Sequence, residues 1–210
     1  MVSTPSSPSD GSSPGDGPGP LPAAAEPLLV KVLIAGPFGV GKTTMIRALS
    51  ETPPFHTEEV MTQAGALVDD LAGVREKATT TVAIDFGRRT LSDELVLYLF
   101  GTPGQKRFLP LWQDIAEGAL GALVLVDTRR LDASFEVMDI IEEAGLQYAV
   151  AVNAFPDAPL HDTATLRDHL DLLPDTPLVV CDARDRDQSA DALITLARHI
   201  MTRAPVGAPR

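Results

Sequence analysis

Gly36-Pro37-Phe38-Gly39-Val40-Gly41-Lys42-Thr43 decides how the rest of this 210-residue chain is read. It satisfies G-x-x-x-x-G-K-[ST], the spacing of a phosphate loop. The near-continuous apolar run Leu28–Ala35, interrupted by Lys31, precedes it as a buried strand would. A helical pattern over residues 42–50 follows. Glycines let the backbone wrap closely round an anion so that successive N–H groups point inward. The helix start adds the positive end of its dipole. The candidate phosphate contacts are Gly36, Phe38, Gly39, Val40, Gly41, Lys42, Thr43 and Thr44. Lys42 would reach the β- and γ-phosphates, and the Thr43 hydroxyl would hold Mg²⁺. The loop alone predicts a nucleoside triphosphate ligand.

Outward from the loop, apolar and amphipathic segments alternate. Strands are expected at residues 28–35, 81–87, 95–100, 120–126, 148–152 and 177–181. Helices are expected at 42–50, 112–117, 133–144, 164–172 and 189–203. With the phosphate loop, the order predicts an α/β fold of the P-loop NTPase kind: a mostly parallel six-stranded sheet with helices on both faces. A tight polar turn around residues 88–94 would make one edge strand antiparallel. The expected division is a disordered tail over 1–27, a nucleotide-binding domain over 28–203 and a short flexible tail over 204–210. Seventeen of the first 27 residues are Pro, Ser or Gly, too polar to repay ordering.

Composition narrows the function. Hydrophobic residues make up 44% of the chain, enough for a sizeable core. The net charge of −12 argues against binding nucleic acid or an anionic membrane directly. Cys181 is the single cysteine, so no internal disulfide forms, and at the end of an apolar run it reads as an inert buried thiol. With no apolar run of membrane-spanning length and no leader or lipidation pattern, a cytoplasmic protein is expected, reaching a membrane only through partners.

Three further segments carry chemistry. Thr81-Val82-Ala83-Ile84-Asp85-Phe86 resembles the end of switch I in Ras- and Rab-like GTPases. Gly101-Thr102-Pro103-Gly104-Gln105-Lys106-Arg107-Phe108 resembles their D-x-x-G-Q switch II motif. Asn153-Ala154-Phe155-Pro156-Asp157 and Cys181-Asp182-Ala183-Arg184 resemble their N-K-x-D and S-A-K base loops. The resemblance implies that Thr81, with Thr79 and Thr80 as alternatives, closes over Mg²⁺ and the γ-phosphate. It implies that the Gly104 N–H senses the γ-phosphate and that Gln105 orients the attacking water. Asn153 would hold the loops and the base, Asp157 would accept from guanine N1 and N2, and Ala183 with Arg184 would complete the pocket. Catalysis would rest on Gln105, Lys42 and Thr81.

The departures are as informative. Gly101 stands where switch II has aspartate. Ala154 replaces the lysine of N-K-x-D, and Asp157 arrives one residue late. Phe38 takes a position that is glycine in many small GTPases, where it would crowd an arginine finger and slow turnover. Arg75 and Arg107 are candidate intrinsic arginines or plain surface charges, and Trp112 reads as a core anchor.

Taken in order, GPFGVGKTT, TTVAIDFG, LYLFGTPGQKRF, GALGALVLVDTRR and VCDARDR resemble the GTP-binding proteins of actinobacterial conservon operons, related to MglA-type bacterial Ras-like GTPases. MglA-like proteins share the absent switch II aspartate; they often carry an arginine where this chain has Thr80. The resemblance implies GTP/GDP and Mg²⁺ as ligands. It also implies a roadblock/LC7-fold regulator or GAP and a sensor-kinase-like protein as partners. A nucleotide-binding module without useful turnover and a P-loop ATPase or kinase remain as alternatives.

Overall fold

The computed structural model describes residues 26–53, 55–61, 80–104 and 110–203. The expected tails lie outside these residues apart from Glu26 and Pro27, which are exposed. Seven strands form one sheet in the order β2-β3-β4-β1-β5-β6-β7. They are β1 Leu28–Ala35, β2 Phe55–Met61, β3 Thr80–Ser92, β4 Leu95–Gly101, β5 Ala119–Val126, β6 Tyr148–Asn153 and β7 Leu178–Cys181. The helices are α1 Lys42–Leu49, α2 Pro110–Ala116, α3 Phe135–Glu143, α4 Thr163–His169 and α5 Arg186–Arg203, with a 3₁₀ turn at Leu131–Ser134.

β1 pairs in parallel with β4 and β5, and β5, β6 and β7 continue in parallel. Only β3 runs against its neighbours, antiparallel to both β2 and β4. The α/β architecture with one antiparallel strand therefore stands, with two corrections. β2 is a seventh strand, so the antiparallel strand is second from the edge. Its sequence Phe-His-Thr-Glu-Glu-Val-Met lacks the clean alternation that marks a half-buried strand. The predicted turn over 88–94 is also shorter. Arg88 to Ser92 continue β3, leaving a turn at Asp93 and Glu94 and an irregular register between Thr90 and Ser92.

β1 shows why the central strands read as apolar runs. Val32 and Ile34 enter a core with Met45, Ile46 and Leu49 of α1 and Leu193, Leu196 and Ile200 of α5. Leu33 and Ala35 enter the opposite core with Trp112 of α2, Ile141 of α3 and Leu166 of α4. A strand covered on both faces has no solvent side to be polar. Trp112, 2% exposed, is the core anchor expected of it. Because β1, β4, β5, β6 and β7 run the same way, their carboxyl ends gather Gly36, Gly101, Asp127, Asn153 and Cys181 at one edge of the sheet, the usual location of ligand sites in open α/β folds. Among the described residues no helix is long and apolar enough to cross a membrane.

α5 packs closely where β5 carries Gly121. A Cβ there would stand 2.7 Å from the Gln147 carbonyl oxygen and 2.7 Å from Ile200 Cδ1. Gly121→Ala is expected to lower unfolding free energy by about 1–3 kcal/mol through overpacking. Urea denaturation with an unchanged midpoint would refute this account of the interface.

Candidate functional site

The phosphate loop spans the gap between the end of β1 and the start of α1. Gly36 adopts φ 139° and Gly41 φ 108°, both in the region that favours glycine. A Cβ on Gly36 would meet the Leu125 carbonyl oxygen at 2.6 Å, and one on Gly41 would meet Asn153 Nδ2 at 2.6 Å. Geometry and close packing thus require glycine at both ends of the loop. Gly41 caps α1 without a side-chain hydrogen bond, so no side chain competes for the first amides of the helix. Thr44 is exposed on the first turn, Val40 is buried, and Phe38 is 67% exposed at the loop crest.

Lys42 Nζ donates to the Gly36 and Pro37 carbonyls at 2.7 and 2.9 Å. Burial draws its pKa down to about 8, against the opposing pull of Asp85. An amine so placed is poised to gain from a phosphate, whose charges favour the protonated form.

Asp85 of β3 is a site residue the sequence reading quoted without assigning it a role. Its Oδ2 accepts from Thr43 Oγ1. Gly101, at the end of the neighbouring β4, explains the arrangement. A Cβ at 101 would stand 3.0 Å from Asp85 Cβ and 3.0 Å from Ile46 Cδ1. Aspartate at 101 and Asp85 would compete for one space, and the carboxylate comes from β3 instead. The sequence signal was a lone acid within the apolar Val82-Ala83-Ile84-Asp85-Phe86, one strand away from the missing one.

Gly104 lies directly over the loop. A Cβ on it would meet Phe38 N at 2.6 Å and Lys42 Nζ at 2.8 Å. The predicted γ-phosphate sensor and the predicted phosphate lysine are therefore neighbours. Thr81 has its backbone in β3, opposite Val60 of β2. Its side chain, and Gln105, Thr79, Arg75 and Arg107, lie outside the described residues.

At the base end, Asn153 joins three loops. Its Nδ2 donates to the Val40 carbonyl at 2.9 Å, and its Oδ1 accepts from the Ala183 N–H at 3.0 Å. The Ala183 amide is thus engaged within the protein here. Arg184 folds back onto Asp182, with Nε 2.9 Å from Oδ1. Cys181 is buried, which pushes its thiol up to about 11 and agrees with the inert role expected of it.

Asp157 is engaged by Arg129, whose Nη1 lies 3.0 and 3.2 Å from its two carboxylate oxygens. Arg129 also donates Nε and Nη2 to Asp127, each at 2.9 Å, and its guanidinium sits 4.0 Å from the Phe155 ring centre. Burial pushes the Asp127 carboxyl up, but hydrogen bonds from the Arg129 side chain and backbone override this and hold it low. Arg130 donates Nη2 to the Phe38 carbonyl at 3.0 Å and lies 3.9 Å from Asp127. Asp127, Arg129, Arg130 and Phe155 had no assigned role from sequence. The available signal was an acid closing the apolar run Ala122-Leu123-Val124-Leu125-Val126, followed by paired arginines.

A phosphate loop on a central strand, a half-buried lysine in it and an asparagine tying it to two further loops define a nucleotide-binding P-loop NTPase. The chain belongs to the family described as "Conserved hypothetical ATP binding protein", whose model matches residues 34–203. An uncharacterized protein of Methanocaldococcus jannaschii is 31% identical over 126 residues, 59% of this chain and 69% of that relative. The cytosolic domain of the T. maritima FeoB iron transporter in a GDP form has a TM-score of 0.59 at 18% identity, covering 87% of this chain and 68% of that one. The G domain of the same transporter gives 0.53 at 21% identity, covering 83% and 98%. These likenesses show that the chain shares its fold with the FeoB G domain.

The Lys42 environment yields a pH prediction. With its ligand-free pKa near 8 and its pKa raised by bound phosphates, triphosphate binding takes up a proton above that pH. Affinity should be level below about pH 8 and fall by up to about tenfold per unit above it. Titrations from pH 6.5 to 9.5 that stay level throughout would refute the assignment.

Proposed function

We propose that the protein is a guanine-nucleotide switch with slow, Mg²⁺-dependent GTP hydrolysis. The observation that carries this reading is the Asn153 joint, which brings the phosphate loop and both base loops into one site. Gly36 to Thr44 would cradle the phosphates, with Lys42 supplying charge. Asp157 would read guanine, because only a group with two acceptors matches the N1 and N2 donors. Ala183 and Arg184 would close the pocket.

The Thr43 hydroxyl and the Asp85 carboxylate are the hard oxygen donors that Mg²⁺ prefers, and they meet beside Lys42. Among the described residues no cluster of three acidic, histidine or cysteine side chains forms a metal cage. Mg²⁺ usually takes few protein ligands and relies on nucleotide phosphates and water. Bound there, it would neutralise phosphate charge. Thr81 would join it. The Gly104 amide would sense the γ-phosphate and Gln105 would position water, with catalysis chiefly electrostatic.

The ordered motifs support a place beside the conservon and MglA-type GTPases. That place would make the partners a roadblock/LC7-fold regulator or GAP and a sensor-kinase-like protein, the protein being cytoplasmic and membrane-associated only through them. The switch segments would carry the signal.

A second reading, adenine binding, rests on the family's description and on Arg129 holding both oxygens of Asp157. Chromatography of nucleotide released from denatured protein, with single-turnover hydrolysis of GTP and ATP with and without Mg²⁺, separates the two. GDP or GTP in the eluate and Mg²⁺-dependent turnover of GTP alone are expected. Bound ADP or ATP with turnover of ATP would establish the second reading, and no turnover of either would reduce the protein to a binding module.

Phe38 supplies an independent check on slow turnover. Its ring stands at the loop crest, while its amide lies beside Gly104. Phe38→Gly is expected to raise intrinsic or partner-stimulated hydrolysis at least severalfold. Unchanged rates in both assays would remove Phe38 from the explanation.

A further inference from the structure

Asp157 can recognise guanine only by offering both carboxylate oxygens to the base. In this structure one nitrogen, Arg129 Nη1, lies nearly midway between them, at 3.0 and 3.2 Å. A guanidinium N–H thus stands where the donors of the purine edge would come. We propose that Arg129 is a specificity-determining residue that competes with the base for Asp157 and thereby sets how strongly the pocket prefers guanine over adenine. This rests on the guanine reading of Asp157 given above.

The surroundings suit a reversible competitor. Arg129 does not depend on Asp157 for its charge partner. Its Nε and Nη2 remain on Asp127, a carboxylate with no exposed side-chain surface. Phe155 supports the guanidinium from one face. The Asp157 side chain is 74% exposed, so its arm of the pair is screened by water and adds little to stability. Releasing it returns a carboxylate to solvent and leaves Arg129 anchored. Guanine brings two adjacent donors and can replace Nη1 at both oxygens. Adenine presents an acceptor, N1, and a C2–H at the corresponding positions. It cannot replace Nη1 at both, so it leaves the Arg129–Asp157 pair closed and loses nothing by it. Guanine alone bears the cost of opening the pair, and the preference is narrower than a free aspartate would give.

Arg129→Lys is the informative variant. Lysine keeps a cation for buried Asp127, but a single ammonium cannot serve Asp127 and both oxygens of Asp157 together. Dissociation constants for GDP and ADP would be measured on the nucleotide-stripped full chain for wild type, Arg129→Lys, Asp157→Ala and the double variant. The readout is the GDP-to-ADP affinity ratio. A loss of folded protein lowers both affinities together and leaves that ratio unmoved. Arg129→Lys should raise the ratio about fivefold, the scale of an exposed ion pair. The rise should vanish when Asp157→Ala is added. A ratio that is unchanged or lower in Arg129→Lys, with Asp157→Ala still abolishing the wild-type preference, overturns the competition and leaves the guanine reading intact. If Asp157→Ala changes the ratio in neither background, Asp157 does not read the base, and both ideas fall together.

Discussion

The side-chain amide of Asn153 is the contact on which the site's shape depends. Phosphate loop, β6 loop and β7 loop issue from three different strands, and backbone pairing holds those strands only up to their ends. Past the ends, one amide group donates to Val40 and accepts from Ala183. Both bonds are buried, where an unmatched partner costs more than the bond itself contributes. Gly41 follows from the same contact, because any side chain there would strike Asn153 Nδ2. The last glycine of the phosphate motif is thus dictated by the Asn153 side chain as well as by its own left-handed backbone.

Charge at the phosphate end is set by an exchange between strands. Gly101 and Asp85 sit on adjacent antiparallel strands, and the space beside α1 admits one side chain. Placing the carboxylate on β3 puts it against the Thr43 hydroxyl and in the field of Lys42. β3 is also the strand on which Thr81 lies. Asp85 and Thr81 therefore share one strand, and a displacement of β3 moves both.

The sequence carried the central strands, the phosphate loop and Asn153 clearly, because each has a local signature: continuous apolar residues, fixed glycine spacing, an asparagine closing a buried run. It carried poorly whatever depends on two distant segments meeting. Phe55–Met61 became a strand because Thr80–Met61 and its neighbours pair along β3, a fact absent from its own weak pattern. Asp85 was quoted but passed over, since its role appears only when Gly101 lies beside it. The Arg129 and Arg130 contacts are separated by 28 and 92 residues from Asp157 and Phe38, so no spacing rule reaches them. Asp157 stood out by analogy of position, and the arginine that pairs with it did not.

Asp127 is the shared footing of two arms that point in different directions. Through Arg129 it reaches the base loop, and through Arg130 it lies beside the support of the phosphate loop's crest. A buried carboxylate common to both makes the two halves of the pocket a single mechanical unit. For the nucleotide proposed above, contributions of base and phosphates to affinity would then be non-additive: a ligand fragment that shifts one arginine would alter the ground on which the other half binds. The energies of its parts could not be summed to give its own.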